Sequence, residues 1–218
     1  MPAASPRSLP ALRQLLHERF PRATPGAAEP LATGVPAIDE ATGGLPRPAL
    51  TEFTCAAPSC GSSLLLGALL AATRAAALRL ALVDADDAFD PDSWEPDLLE
   101  HLFWVRARGV PEALAAADLL VRDANLGVVV LDLRHAAPAA LRRIPSTSWY
   151  RLQRAIESST LAIAVLTPVA LVPSARVRFE LGSSSSLPAL SRERPSLAAA
   201  LAPALRRQRT GTAFAVAG

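Results

Sequence analysis

The stretch CAAPSCGSSLLL, residues 55–66, follows a strand-like run and leads into a segment rich in alanine and leucine. Phosphate-binding loops have this length and place, because small residues let backbone N–H groups surround an anion at the start of a helix. Their motif, G-x-x-x-x-G-K-[ST], adds a lysine for the phosphates and a hydroxyl for Mg²⁺. When Gly61 is aligned with the second glycine, a serine falls on the lysine position and a second serine on the hydroxyl position. We therefore predict a degenerate nucleotide-binding loop formed by Ala56, Ala57, Pro58, Ser59, Cys60, Gly61, Ser62 and Ser63.

The composition limits the chemistry that the chain has available. All 22 basic residues are arginine, so no lysine anywhere in the sequence can take the missing role. The chain has 218 residues, of which 50% are hydrophobic, and this fits one domain with extensions. The two cysteines and three histidines form no ligand cluster, so we expect no metal site.

The charge is distributed unevenly along the chain. Up to Asp132 the sequence has ten arginines and 17 acidic residues, whereas from Leu133 onward it has 12 arginines and three acidic residues. A basic C-terminal part indicates contact with nucleic acid or with an acidic partner, or else a solvated arginine-rich surface. The candidates for DNA binding or partner binding are Arg142, Arg143, Arg206, Arg207 and Arg209.

Strand-like and helix-like segments alternate through the middle of the chain. Continuous apolar runs, such as LGVVVLDL at residues 126–133, are typical of parallel strands covered on both faces. The sequence therefore predicts an α/β fold with a largely parallel sheet and helices on both faces. Strands are expected at about residues 49–56, 78–86, 102–105, 126–133, 160–168 and 175–181, and helices at 62–77, 110–124 and 147–159.

The sequence also predicts three regions. Residues 1–30 form a short helical extension and a linker rich in proline and alanine, and residues 31–181 form the core domain. Residues 182–218 form a tail rich in serine, alanine, proline and arginine. The helix of the extension has an apolar stripe that we predict binds its own core or a partner, made of Leu12, Leu15, Leu16 and Phe20.

No part of the sequence indicates export or a membrane. The start lacks an apolar signal region, and no apolar run reaches the roughly 18–20 residues that a membrane span needs. We therefore expect a cytoplasmic protein with reduced thiols and without membrane partners.

Acidic residues follow two of the predicted strands. Asp132 ends the run VVVLD, which fits the carboxylate that holds Mg²⁺ in NTPases. Asp84 and Asp86 end another strand, where an acid can position an attacking water. Acids at strand ends are also common solubilising residues, so each position alone is a weak signal.

Together these elements resemble the RecA family. The run LATGVPAIDEATGGLPRPALTEF, residues 31–53, is similar to that family's entry signature, and LVDADDAFDP, residues 82–91, to the strand with its catalytic acid. VVVLDL, residues 128–133, is similar to the second NTPase motif, and LAIAVLTP, residues 161–168, to the strand before the second DNA-binding loop. The resemblance covers about residues 31–181 and implies a RecA-like core.

The resemblance implies a role for single positions. Gly61 and Ser63 match the phosphate loop, and Asp132 matches the metal-coordinating residue. Asp86 falls on the catalytic glutamate and Thr167 on the glutamine that senses nucleotide, so both positions are vestigial. We therefore predict no catalytic residue.

Other positions depart from the family. Pro58 removes a backbone donor from the loop, and the second DNA-binding loop is reduced to PVALVP, residues 168–173. The first DNA-binding loop is replaced by RHAAPAALRRIPSTSW, residues 134–149. The acids around residues 84–92 also disfavour a triphosphate unless Mg²⁺ is present, so we expect no bound cofactor.

With these replacements the chain is similar to the ImuA group of RecA-like proteins, which are also described as SulA-like. This resemblance implies a non-catalytic accessory protein of DNA-damage-induced (SOS) mutagenesis and translesion DNA synthesis. Its expected partners are RecA and an ImuB-type polymerase-like protein, with DNA contacted through the arginine-rich C-terminal part. Two alternatives stay open: a weak ATP-binding or ATPase RecA paralogue acting on DNA with ATP and Mg²⁺, and a SulA-like cell-division inhibitor.

Overall fold

The computed structural model describes residues 28–182, 188 and 191–209, and the predicted helix with Leu12 to Phe20 lies outside these residues. The strands are β1 (Ala49–Cys55), β2 (Arg79–Asp84), β3 (Leu102–Arg106), β4 (Leu126–Asp132), β5 (Ala162–Thr167), β6 (Val177–Leu181) and β7 (Ala204–Gln208). The helices are α1 (Pro36–Thr42), α2 (Ser62–Ala75), α3 (Pro96–Leu99), α4 (Val110–Leu120), α5 (Pro138–Arg142), α6 (Ser146–Ile156) and α7 (Arg194–Ala199).

All seven strands belong to one sheet in the order β3-β2-β4-β5-β1-β6-β7. Every neighbouring pair is parallel except β6 and β7, which are antiparallel. The prediction of an α/β fold with a largely parallel sheet is therefore confirmed.

The two faces of the sheet carry separate apolar cores, because side chains alternate along each strand. On β4, Val128 and Val130 belong to the core that includes residues of α1, α2 and α7. Val129 and Leu131 belong to the opposite core, which includes residues of α4, α5 and α6. All residues of β4 are buried, as expected for a parallel strand with helices on both sides.

The entry segment before β1 is held by the Asp39 carboxylate. Its Oδ1 accepts hydrogen bonds from the backbone N–H and the hydroxyl of Thr33, both at 2.8 Å, and its Oδ2 accepts from the Gly34 N–H at 3.0 Å. Gly44 lies so close to the Leu31 carbonyl that a Cβ would overlap it, and Gly44 has a φ of 116°. The threonine, the glycines and the aspartate of the entry signature thus have structural roles in one folded turn.

The central strand β1 carries a fully buried carboxylate, that of Glu52. Its Oε2 accepts from Arg178 Nε at 2.6 Å, and its Oε1 accepts from the Thr167 hydroxyl at 3.1 Å. The backbone N–H groups of Leu171 and Val172 donate to Oε1 at 2.5 and 3.0 Å. Since a buried charge is tolerated only when it is paired and hydrogen-bonded, Glu52 fixes β5, β6 and the loop between them around β1.

The sheet continues beyond Leu181, the predicted end of the core domain. After α7 the chain returns as β7 and pairs antiparallel with β6. Leu197, Ala198 and Leu201 are buried, and Ala198 and Leu201 belong to the same core as α2. The boundary predicted at residue 181 therefore divides residues that share one sheet and one core.

Candidate functional site

The candidate site lies at the edge of the sheet where the parallel strands β1, β2, β4 and β5 end. Asp84 of β2 is opposite Asp132 of β4, and Thr54 of β1 is opposite Thr167 of β5. Strand β5 lies between β4 and β1. Ligands of open parallel sheets bind at this carboxyl edge, so the structure places the predicted loop and the predicted acids where such a site belongs.

The predicted loop connects β1 to α2. Residues 56–59 are exposed, whereas Cys60 and Ser62 are buried. Gly61 precedes α2 with a φ of 90°, a left-handed conformation that glycine adopts without steric cost. A Cβ at Gly61 would also overlap the side chain of Leu201. The chain that follows α7 is therefore packed directly against this loop.

An arginine from another strand approaches the loop at the position that lacks a lysine. Arg134 follows the end of β4, and its Nε donates to Oδ1 and Oδ2 of Asp132 at 2.8 and 3.0 Å. Its Nη2 donates to Oδ2 at 2.5 Å, and its Nη1 donates to the Ser62 hydroxyl. The side chains of Arg134 and Asp132 are only 11% and 5% exposed. The guanidinium thus joins the carboxylate at the metal position to the serine at the lysine position.

The electrostatics favour the charged form of this bridge. Burial alone would lower the pKa of Arg134, but the hydrogen bonds and the charge of Asp132 outweigh it and raise the pKa. Burial raises the pKa of the nearby Cys55 thiol, and Cys60 adds to the rise. The thiolate is the reactive form of cysteine, so Cys55 is a poor nucleophile and a poor metal ligand at neutral pH.

The two positions that the resemblance marks as vestigial differ in their surroundings. Thr167 is fully buried, and its hydroxyl donates to Glu52 as part of the ties around β1. Asp86 is exposed, but the partial burial of its carboxyl group raises its pKa. The charge of His135 opposes this rise, and the carboxylates of Asp132 and Asp84 add to it. Thr167 is therefore already used by the fold, whereas Asp86 stands at the site with a weakened acidity.

Asp84 has a structural role at the end of β2. Its Oδ1 accepts the N–H groups of Asp86 and Ala88 at 3.3 and 3.1 Å, and its Oδ2 accepts the N–H of Phe89 at 2.9 Å. The carboxylate of Asp84 therefore stabilises the turn that leads into the acidic segment. Its hydrogen bonds are explained by this structural role.

In the RecA family that the sequence resembles, these positions hold Mg²⁺ and a nucleotide, but the side chains in this arrangement do not fit them. A carboxylate that holds Mg²⁺ must offer its oxygens to the ion or to its waters, but both oxygens of Asp132 already accept from Arg134. The Ser62 hydroxyl is likewise bonded to Arg134, and Pro58 removes one N–H from the loop. An internal ion pair thus takes the place that a metal–phosphate complex would need.

The three candidate arginines near the end of the chain are on or beside β7. Arg206 Nε donates to Glu180 Oε2 at 2.6 Å across the β6–β7 pair, and Arg209 donates to a backbone carbonyl at 3.3 Å. Arg207 is half-buried. The charge of Arg206 is therefore partly neutralised within the sheet.

The other two candidate arginines, Arg142 and Arg143, lie at the end of α5. Both are exposed, and neither forms an ion pair with a residue that the structure describes. Their charges are therefore more available to a phosphate than that of Arg206.

A further group of arginines, which the sequence analysis did not single out, surrounds a tyrosine on α6. Asp118 of α4 accepts from Arg151 Nε at 3.0 Å and from Arg122 Nη2 at 3.3 Å, and so holds two guanidinium groups side by side. Tyr150, next to them, is 47% exposed. The signal in the sequence is the absence of any acidic residue from Leu133 to Ile156. The tyrosine and both guanidinium groups border a cavity of about 510 Å³ lined by Arg122, Thr147, Tyr150, Arg151, Arg154 and Ala155.

The candidate partner-binding residues Leu12, Leu15, Leu16 and Phe20 lie outside the described residues. Within the described ranges, no group of three or more potential metal ligands comes together. None of the helices in that part of the chain is both long enough and apolar enough to cross a bilayer.

Comparison of the sequence with protein-family models gave no match, and comparison with curated proteins gave none either.

The bridge at the loop gives a stability prediction. Arg134→Met should lower the free energy of unfolding by about 3–5 kcal/mol, because the Asp132 carboxylate would stay buried without its partner. The double variant Asp132→Asn, Arg134→Met removes both charges and should be more stable than Arg134→Met alone. Urea denaturation of the wild type and these variants measures the difference.

Arg142→Met is the matched control, since it removes an exposed arginine from the adjacent helix and should change stability by less than about 0.5 kcal/mol. Equal losses in Arg134→Met and Arg142→Met would contradict the role assigned to the bridge. A double variant less stable than Arg134→Met would do the same.

Proposed function

We propose that this protein is a non-catalytic, RecA-like accessory factor that acts with RecA and a polymerase-like partner in DNA-damage-induced translesion synthesis. The observation that carries the proposal is the bridge from Asp132 through Arg134 to Ser62. This bridge supports a protein that keeps the loop and the strand order of a nucleotide-binding fold, but whose charged groups at the site are paired with one another.

The physical reason lies in the demands of phosphoryl transfer. Catalysis of this reaction depends on cations and Mg²⁺ placed around the transferring phosphoryl group. Here the buried cation Arg134 is paired with the carboxylate that would hold the metal. Binding a Mg²⁺–nucleotide complex would require breaking that buried pair, which costs several kcal/mol unless new contacts replace it.

The same observation also favours a second candidate, a weak ATP-binding protein. The guanidinium of Arg134 stands beside Ser62 at the lysine position and could turn from Asp132 to a phosphate. Such a turn would release Asp132 for Mg²⁺. This candidate requires nucleotide binding, so a titration separates it from the proposed function.

Titration of ATP with Mg²⁺ into the full-length protein should give no micromolar binding in calorimetry and no phosphate release. Micromolar binding with turnover would contradict the non-catalytic proposal and support the weak ATPase. In that case Arg134→Lys, which keeps the positive charge, should retain binding that Arg134→Met loses.

The partner proposal is tested with RecA filaments formed on single-stranded DNA. The full-length protein should sediment with these filaments and should change the rate of strand exchange. RecA without DNA is the control that separates filament binding from binding to free RecA. If the protein neither sediments with RecA nor alters strand exchange, the adaptor function fails.

Direct contact with DNA is tested on the protein alone, from the salt dependence of its binding to a labelled oligo(dT). Each arginine–phosphate contact with a single strand contributes about 0.7 to the slope of log K against log salt. Arg142→Ala with Arg143→Ala should therefore reduce the slope by about 1.4 if both arginines contact phosphates.

Arg206→Ala is the matched control, because that arginine is already paired with Glu180 and should contribute less. An unchanged slope in the Arg142 and Arg143 variant would exclude α5 as the DNA contact.

A further inference from the structure

An apolar groove of about 980 Å³ lies on the α2 side of the sheet. Its walls are formed by α2, by α7 and by the segment around α3, and they include Leu64, Ala68, Trp94, Leu98 and Pro195. We call it the α2–α7 groove. It is separate from the loop and from the bridge made by Arg134.

The face of α2 that borders this groove carries small side chains, namely Ala71, Ala72 and Ala75. Ala71 and Ala75 are exposed to solvent. The distance at which two helices pack depends on the side chains at their contact, so a face of alanines permits a close approach. The groove thus has the shape and the polarity that accommodate one more amphipathic helix.

The aromatic wall of the groove is held in place. Trp94 stacks against Phe89 at 6.2 Å between ring centroids, and the Arg194 guanidinium lies over the same ring at 4.7 Å. A Cβ at Gly67 of α2 would overlap the Trp94 ring, so the ring packs directly on the helix. Arg194 also donates to the Ser93 carbonyl, so its guanidinium already has partners within the wall of the groove.

The surroundings of the groove are acidic. From Asp84 to Glu100 the sequence has eight acidic residues and no basic residue. Arg74 pairs with Asp97 and Glu100, Arg106 pairs with Asp87, and Asp84 is buried. The acids of this segment that form no ion pair with a described residue and are not buried are Asp86, Asp90, Asp92 and Glu95. Glu95 from this segment and Glu193 before α7 line the groove itself. An occupant with an apolar stripe and basic flanks would therefore match the groove in both polarity and charge.

The chain has one segment with this pattern outside the described residues, at positions 9–20. It carries the apolar stripe already described, together with Arg13, His17 and Arg19 against a single acid, Glu18. A helix of these 12 residues would be about 18 Å long, close to the roughly 21 Å of α2.

The connection to the core leads to the groove. Leu31 to Gly34, the start of the core, line the groove on one side. The linker at residues 21–30 can span at most about 33–36 Å. A tether of this length gives an effective concentration in the millimolar range at the groove.

We propose that residues 9–20 dock as an amphipathic helix in the α2–α7 groove of their own chain. The apolar stripe covers the alanine face of α2 and the exposed part of Trp94, and Arg13 and Arg19 lie near the acidic rim. A partner that binds the same stripe must first displace it from the groove. The proposal concerns the protein alone, so it stands or fails independently of RecA binding.

Pairs of introduced cysteines test the docking. The full-length variant Leu15→Cys, Ala71→Cys, treated with a short bismaleimide, should give an internally cross-linked monomer. The matched control is Leu15→Cys, Ala115→Cys, because Ala115 is an exposed alanine on α4, at the opposite face of the sheet. It should give little internal product.

A predominantly dimeric product from the Ala71 pair would overturn the proposal in favour of docking between two copies. Equal internal yields from both pairs would overturn it as well.

Tryptophan fluorescence provides a second readout. Leu16→Asp with Phe20→Asp should shift the emission to longer wavelength and increase binding of an apolar dye, because Trp94 and the groove become exposed. Gln14→Asp, a change on the opposite side of the predicted helix, should leave both signals as in the wild type. An unchanged emission in the double variant, with an unchanged melting temperature, would show that the segment does not cover the groove.

Discussion

A carboxylate buried in the middle of the sheet constrains the rest of the structure. Glu52 has no exposed surface on β1, so its charge must be balanced by neighbours within the fold. Arg178 supplies the opposite charge from β6, and Thr167 and two backbone N–H groups complete its hydrogen bonds. These contacts hold the loop after β5 close to β1. The Thr167 side chain therefore has a structural role at the end of β5.

At the carboxyl edge of the sheet, a second buried carboxylate is also paired with a residue of the protein itself. In a working nucleotide site, the loop and the metal carboxylate are linked through a ligand, since both are built to hold parts of the same complex. In this protein Arg134 makes the link directly, between Asp132 and Ser62. The result is an edge whose geometry can persist without a ligand.

Much of the fold could be predicted from sequence, because strand and helix patterns are local. The run VVVLD and the loop before α2 have periodicities and end residues that identify them without tertiary information. Arg134 could not be assigned, since its reach back to the loop depends on the spacing of β4, β5 and β1 rather than on neighbours in sequence. The sequence predicts no separate helix at α5 and no strand at β7, because both elements are short and surrounded by alanine, proline and arginine. Such segments take their structure from what they pack against.

The last strand of the described sheet, β7, has a consequence for the protein in solution. An edge strand offers unpaired backbone groups to any other strand, and charged side chains are a common protection against such pairing. Arg206, Arg207 and Arg209 lie on or beside this strand. The arginines predicted as DNA contacts therefore also place positive charge on this edge, which disfavours the addition of a strand from another molecule.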